Sequence, residues 1–335
     1  MKWGLIFSCL FWITELGAEE APENDFSLGG LLFGDFYGVP SHHLEEGDGA
    51  AGAVLRRGYL TADWKSNRSL FARARLEINQ SGEFETYTFE TRFKDLYLGW
   101  KTGRQRFLLG LAPTPTFDLI ESAWGFRYLA RTPMDLQGVP SRDTGISASG
   151  PINPSGSLSY RAMLGTGLDF GADSDENPKI MTAITWRPAD NWTLDLYTDY
   201  EKIPGPVDRK TLQVFLAYQA ASFGWGMQYS NQDREQDPPL KLASAFFTKA
   251  LGGKTTLVGR VDRLFEPSPK GNDISYLPFD PSARATMFIA GIEFKTGRHL
   301  SITPNTVVTR YDRNDQGTRP KTDFYLRLTL FINFE

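Results

Sequence analysis

Phe324-Tyr325-Leu326-Arg327-Leu328-Thr329-Leu330-Phe331-Ile332-Asn333-Phe334 runs to one residue before the end of the chain. Phe324, Leu326, Leu328, Leu330, Ile332 and Phe334 share one parity. Tyr325, Arg327, Thr329 and Asn333 share the other, with Phe331 the one apolar exception. A period of two with one apolar and one mostly polar face describes a strand lying between hydrocarbon and water. The same alternation recurs upstream. Leu70, Ala72, Ala74, Leu76 and Ile78 alternate with Phe71, Arg73, Arg75, Glu77 and Asn79. Leu96, Leu98 and Trp100 oppose Asp95, Tyr97 and Lys101, and Trp192, Leu194 and Leu196 oppose Asp195, Tyr197 and Asp199. About sixteen such segments follow one another without a helical period, each near the roughly 9–11 residues of a tilted membrane strand.

The bulk composition hides this. The 335 residues are 23% charged with a mean hydropathy of −0.34, values of a soluble protein. A barrel conceals its membrane band in this way, because every second residue faces water. Beyond the N-terminus no stretch has the roughly 18 uninterrupted apolar residues of a membrane helix. A net charge of −4 gives no reason to expect nucleic acid. Connections alternate in length. Short ones fall at Lys65–Arg68, Lys101–Arg104, Gly150–Gly156, Pro188–Asn191, Ala220–Ser222, Leu251–Gly253 and Lys295–His299. Longer ones fall around Gly38–Gly52, Ala112–Ser141, Gly165–Pro178, Lys202–Arg209, Asn231–Leu240, Phe265–Ser282 and Asp312–Lys321, with Ser81–Thr86 shorter than its set. Trp64, Trp100, Phe107, Trp186, Trp192, Tyr218, Phe223, Phe294 and Phe334 all take the apolar parity close to a short turn or the C-terminus. That is an aromatic girdle at one interface. The expected fold is all-β: a transmembrane antiparallel barrel of about 16 strands. A secreted β-sandwich is the weaker rival, since its packed faces require no such ring.

Residues Met1 to Ala18 read as a secretory signal, with Lys2, the apolar run Trp3 to Ile13, and Leu16-Gly17-Ala18 before Glu19. A short segment over 19–27 follows, and the barrel is expected over 28–335. The only cysteine, Cys9, lies inside the signal, which leaves the mature chain without a thiol.

Leu109-Gly110-Leu111-Ala112-Pro113, Ile120-Glu121-Ser122-Ala123-Trp124-Gly125-Phe126-Arg127, Arg131-Thr132-Pro133-Met134-Asp135-Leu136, Ser141-Arg142-Asp143-Thr144-Gly145-Ile146 and Ser159-Tyr160-Arg161-Ala162-Met163-Leu164-Gly165 stand close together in the chain. They resemble the region around the third loop of porins related to the phosphate-selective porins O and P. The likeness is densest from Leu109 to Gly167 and is one of pattern elsewhere. It implies a 16-stranded, homotrimeric diffusion channel in a Gram-negative outer membrane, surrounded by lipid and lipopolysaccharide. Glu335 follows Phe334 where that family ends on the aromatic. The dense lysine clusters of its phosphate-selective members are missing, so phosphate selectivity does not carry over.

The lumen of so wide a barrel is aqueous, and its selectivity is set where it narrows. The longest connection, 113–141, carries Phe117, Leu119, Ile120, Trp124, Phe126, Tyr128, Leu129 and Met134, which need a packing partner. The expectation is a third loop folded inward onto the wall as a constriction. The inward parity supplies Arg57, Arg73, Arg75, Arg106 and Arg161. The loop supplies Asp118, Glu121, Asp135, Arg127 and Arg131. A basic wall facing an acidic loop would set up a transverse field. Inward acids elsewhere (Asp195, Asp199, Asp262 and Glu293) suggest that selectivity is weak, with small anions or other hydrophilic solutes passing. No metal site or cofactor is expected: Asp169, Asp173, Asp175 and Glu176 match no calcium-loop spacing. Nor is an enzyme expected. His42 and His43 have Glu45 and Glu46 nearby but no serine motif, and His299 falls at the opposite end. The alternative is a plugged barrel serving as receptor or anchor.

Overall fold

The structure, a computed structural model, describes residues 25–66, 69–81, 88–167, 178–203 and 208–334. The signal segment, the short 82–87 connection, the Asp169–Glu176 acids and Glu335 lie outside these residues. The strands are β1 Asp25–Ser41, β2 Ala51–Ser66, β3 Leu70–Ser81, β4 Thr88–Thr102, β5 Gln105–Pro113, β6 Arg142–Pro151, β7 Leu158–Gly165 and β8 Lys179–Trp186. They continue as β9 Trp192–Glu201, β10 Arg209–Gln219, β11 Phe223–Arg234, β12 Asp237–Gly252, β13 Thr255–Leu264, β14 Ala285–Lys295, β15 Leu300–Tyr311 and β16 Asp323–Phe334. Each pairs antiparallel with its neighbours in sequence, and β16 closes on β1, with Gly30 opposite Phe334 and Phe36 opposite Leu328. Closure pairs both faces of every strand edge, as a sheet crossing hydrocarbon must.

The parities behave as read. Leu70, Ile78, Leu96, Leu98, Leu109, Leu326 and Leu328 are exposed on the outer face. Trp100, Trp186, Trp192, Phe223, Phe294 and Phe334 are exposed with them. Trp192 also makes edge contacts with Tyr218 and Trp225 at 5.2 and 5.7 Å between ring centres. One connection differs from expectation. The segment Asn231–Leu240 is no long loop: β11 and β12 run on to Arg234 and Asp237 and turn over Glu235 and Gln236 alone, with Glu235 at φ 52°. Polarity there marks the height at which the strands leave lipid, while the ladder continues into water.

The loop joining β5 to β6 enters the barrel, as its apolar content requires. It holds two short helices, α1 Asp118–Trp124 and α2 Pro133–Leu136. Trp124, Ile120, Phe126, Tyr128 and Leu129 are buried against Phe33 of β1, Phe215 of β10, Phe246 of β12 and Val258 of β13. The indole Nε1 donates to the Ala130 carbonyl at 3.1 Å. The wall also donates into the loop backbone, from both sides. Gln213 reaches the Thr116 carbonyl at 2.9 Å, Arg260 the Ala130 carbonyl at 3.4 Å, and Arg56 the carbonyls of Tyr128 and Leu129. Phe331, the lone apolar residue on the wet face of β16, stacks on Tyr128 with ring centres 4.6 Å apart. That exception was the seat of the loop.

A second connection, residues 265–284 between β13 and β14, also turns inward. Its Ile274, Leu277 and Phe279 are buried with Met134, Leu136 and Val139 of the third loop and with Met287, Ile289 and Val307 of the wall. The lumen along β10–β16 is therefore filled by two loops.

Candidate permeation pathway

Water reaches the opposite wall. The inward Tyr59, Thr61 and Asp63 of β2 and Arg73 and Arg75 of β3 are only partly covered, and with Asn333 they bound an open cavity of about 400 Å³. Arg73 forks onto both oxygens of Asp63 at 2.7 Å. Arg75 lies 3.2 Å from Asp95, which also accepts from Arg142 Nε at 2.5 Å. Arg142 in turn reaches Asp118 of α1 at 3.4 Å. Acid and base thus alternate from loop to wall. A second chain centres on Glu77, which takes Arg57 at 3.3 Å, Arg92 at 2.7 Å and Lys94 at 3.8 Å. Arg106 stacks over Phe71 at 4.9 Å, and Arg161 holds Asp195 at 3.0 Å and the Pro115 carbonyl at 3.2 Å.

The acids of the third loop do not form the negative rim expected of them. Arg127 is ion-paired to both Glu121 and Asp135, and Arg131 lies 3.8 Å from Asp135. Burial works against the Asp135 carboxylate, but Arg127 and Arg131 hold it well below the usual range. Burial, joined by the charges of Arg57 and Arg127, pushes Arg131 down to about 10 against the pull of Asp135. Within the loop Arg127 and Arg131 offset Glu121 and Asp135, which leaves Asp118, 49% exposed and 3.4 Å from Arg142 of β6, as the loop's one wet acid. Of the ten candidates, Arg57, Arg127, Arg131, Asp135 and Glu121 gather where the loop meets β2 and β3. Arg73 and Arg75 sit on the open wall. Arg106 and Arg161 stand on β5 and β7, and Asp118 joins through Arg142.

Exposure decides which sign the water meets. The side chains of Arg75 and Arg161 are each 24% exposed and Arg92 is 41% exposed, whereas their partners Asp95 and Asp195 are 1% exposed and Glu77 is fully covered; only Arg73 and Asp63, at 31% and 28%, share the water equally. Asp199, Asp262 and Glu293, which had weighed for balance, are all buried. Glu293 accepts from the Tyr128 hydroxyl at 2.8 Å.

Four charged residues escaped the parity reading. Arg56 and Arg57 both face the lumen, because Leu55 and Arg56 together oppose Gly34 in a β-bulge between the Phe33↔Arg57 and Asp35↔Val54 pairs. A Cβ on Gly34 would stand 2.3 Å from the Val54 carbonyl oxygen, so glycine is required there. Arg56 pairs with Asp35 at 2.7 Å. A second bulge between Arg75↔Asp95 and Leu76↔Phe93 turns Lys94 inward beside Asp95 and moves Arg92 onto the wet face. Arg142 heads β6, one residue beyond the expected end of the third loop, and is absent from the expected lumen set. The available signal was the run of two adjacent charges at 56–57 and 94–95. A regular membrane strand would place one of each pair in lipid, and a bulge re-aims it.

No protein-family model and no curated protein matches this chain. Solved structures do. An anion-selective porin from Comamonas acidovorans superposes with a TM-score of 0.64 at 14% identity, covering 93% of this chain and 100% of the other. The fold is that of the outer-membrane porins. A triple mutant of the Rhodopseudomonas blastica porin gives 0.60 at 13% identity over 92% and 100% of the two chains. OmpT, an outer membrane protein of Vibrio cholerae, in its trimer form gives 0.60 at 13% over 92% and 99%.

Proposed function

We propose that this barrel is a passive diffusion porin of a Gram-negative outer membrane, narrowed by two inward loops and modestly anion-preferring. The observation that carries the reading is the asymmetry of exposure: guanidiniums meet the water while most of their carboxylates lie behind them. A lumen lined by exposed positive charge concentrates anions and depletes cations. Acids remain close enough to keep the preference shallow. The permeant is a small anion or another hydrophilic solute, which needs neither a cofactor nor chemistry from the protein. Lipid and lipopolysaccharide surround the outer belt, and a homotrimer is the assembly we expect. Residues 1–18 act as the export signal.

Planar-bilayer recording of refolded protein under a salt gradient tests this. Discrete openings with a reversal potential of anionic sign support it, and a cationic sign overturns the electrostatic reading. Inserted protein that stays silent would mean that the two loops plug the lumen, and a receptor or anchor role would replace diffusion.

A further inference from the structure

Two consecutive histidines follow β1 in the first long loop. His42 Nδ1 accepts the Leu44 N–H at 2.9 Å, so the ring's proton belongs on Nε2, 2.7 Å from the Tyr325 hydroxyl. His43 is the opposite case. Its Nδ1 lies 2.9 Å from both oxygens of Asp323, and its Nε2 lies 2.9 Å from the Asn272 side-chain oxygen. Only an imidazolium donates from both nitrogens. Asp323 accepts further from the His43 backbone N–H at 2.7 Å and from the Tyr311 hydroxyl. Asp323, not Glu45 or Glu46, is the histidine's acid partner. The rings stack with centres 4.5 Å apart.

His42, His43 and Asp323 place ligand atoms within 4.8 Å of one another. A cation bound at His42 Nε2 would need the proton moved to Nδ1, where the Leu44 N–H already points. The cluster suits a proton better than a metal.

Asn272 belongs to the 265–284 loop that fills the lumen. That loop is held elsewhere by Arg327 donating to the Tyr276 carbonyl at 2.6 Å and by Ser268 donating to Gln137 at 2.6 Å, while Tyr276 sits at φ 69°. A left-handed tyrosine persists only where its surroundings hold it. Of these ties, the histidine is the one that titrates near neutrality.

We propose that His43 is a proton-operated latch on the 265–284 lid: its imidazolium clamps Asn272 to Asp323, and losing the proton frees the lid. The groups facing the pair are Asp323, Tyr311 and Tyr325 from the strand ends, Asp48 with its partner Lys321, and Asp280 from the lid. Burial opposes charge on His43, but the bonds to Asp323 and Asn272 outweigh it and raise the value above 6.5. The latch is therefore present from 6.5 down to the lowered value of His42, and is lost as pH rises through the raised value of His43. Burial lowers His42 below 6.5. Its protonation in acid expels the Leu44 N–H and sets two cations face to face, which loosens the latch again.

Hydrogen exchange of the 265–284 segment, followed by mass spectrometry on the full refolded chain in micelles and corrected for intrinsic rates, tests the latch without requiring conduction. Protection should fall about tenfold along the alkaline limb, the loss of one charge-assisted bond. His43→Gln should abolish that limb, and Asn272→Ala should lower protection of the lid below the limb to the wild type's alkaline level and flatten the response. A heat-shifted gel band certifies each barrel as folded. Protection that ignores pH, or a response that survives His43→Gln, overturns the proposal. Its effect on permeation rests on the diffusion reading: conductance should rise along the same limb in the wild type only. Responsive exchange with unresponsive conductance would overturn the lid role while leaving diffusion intact.

Discussion

Replacing Arg73 and Arg75 by alanine is the sharpest test of the lumen's electrostatics, because their surroundings differ in a way that fixes the arithmetic. Arg73 and Asp63 are similarly exposed and cancel, so Arg73→Ala turns a neutral pair into a bare, wet carboxylate. Asp95 is buried and shared between Arg75 and Arg142, and Arg142 also reaches Asp118, so Arg75→Ala turns a neutral run of four charges into one of minus one. Each substitution subtracts one positive charge. At roughly 7 Å through water one charge acts on a passing ion with about 0.6 kcal/mol. A Debye length of about 10 Å at 0.1 M salt halves that. Anion and cation feel opposite signs, so the permeability ratio changes by about 0.6 kcal/mol, or threefold, per arginine and about tenfold for the double variant. Under a salt gradient the reversal potential should move toward cations by tens of millivolts, and less so in molar salt. Asp63→Asn should move it the other way. A double variant whose reversal potential stays put, or an Asp63→Asn that shifts toward cations, would remove these arginines from the permeation path.

Deleting Asp118–Leu136 takes away the inward loop and should raise single-channel conductance; unchanged conductance would place the narrowest point elsewhere. Tyr128→Ala removes the stack on Phe331 and the donor to Glu293. It should weaken loop anchorage by about 3–5 kcal/mol, seen as larger and noisier openings. Arg56→Met leaves the buried Asp35 carboxylate with only the Thr329 hydroxyl at 2.6 Å and Arg327 at 4.0 Å, and should cost about 3 kcal/mol, read as a lower temperature for loss of the compact gel band. Adding Asp35→Asn should recover part of that loss.

The barrel was legible because membrane strands have no freedom over what they show. Leu96, Leu98 and Trp100 had to face lipid and Asp95 and Tyr97 water, and one slip would reverse every side chain. The inward loop was legible for the same reason, since Trp124 and Tyr128 needed an apolar seat. The second inward loop was not. Its Ile274, Leu277 and Phe279 are scattered among Pro, Ser and Asp, and their burial depends on a surface that the third loop itself creates. Charge pairing across strands was likewise hidden, because Asp323 and His43 lie at opposite ends of the sequence and meet only through closure of β16 on β1.

The site was half legible, and the missing half has one cause. Parity assigns lumen and lipid correctly only while the ladder stays regular. At Gly34 and at Lys94 it does not, and each bulge brings one more cation inward. Those cations meet carboxylates already there: Arg56 finds Asp35, and Lys94 approaches Glu77. The additional charge pairs the buried acids behind the wall, where they do not present themselves to water. The same irregularities that defeat a period-two reading therefore supply buried partners to acids that would otherwise need the wet arginines. A barrel of this composition, acidic overall at −4, can line its wet wall with arginine because its acids are buried beneath or spread over the outer loops.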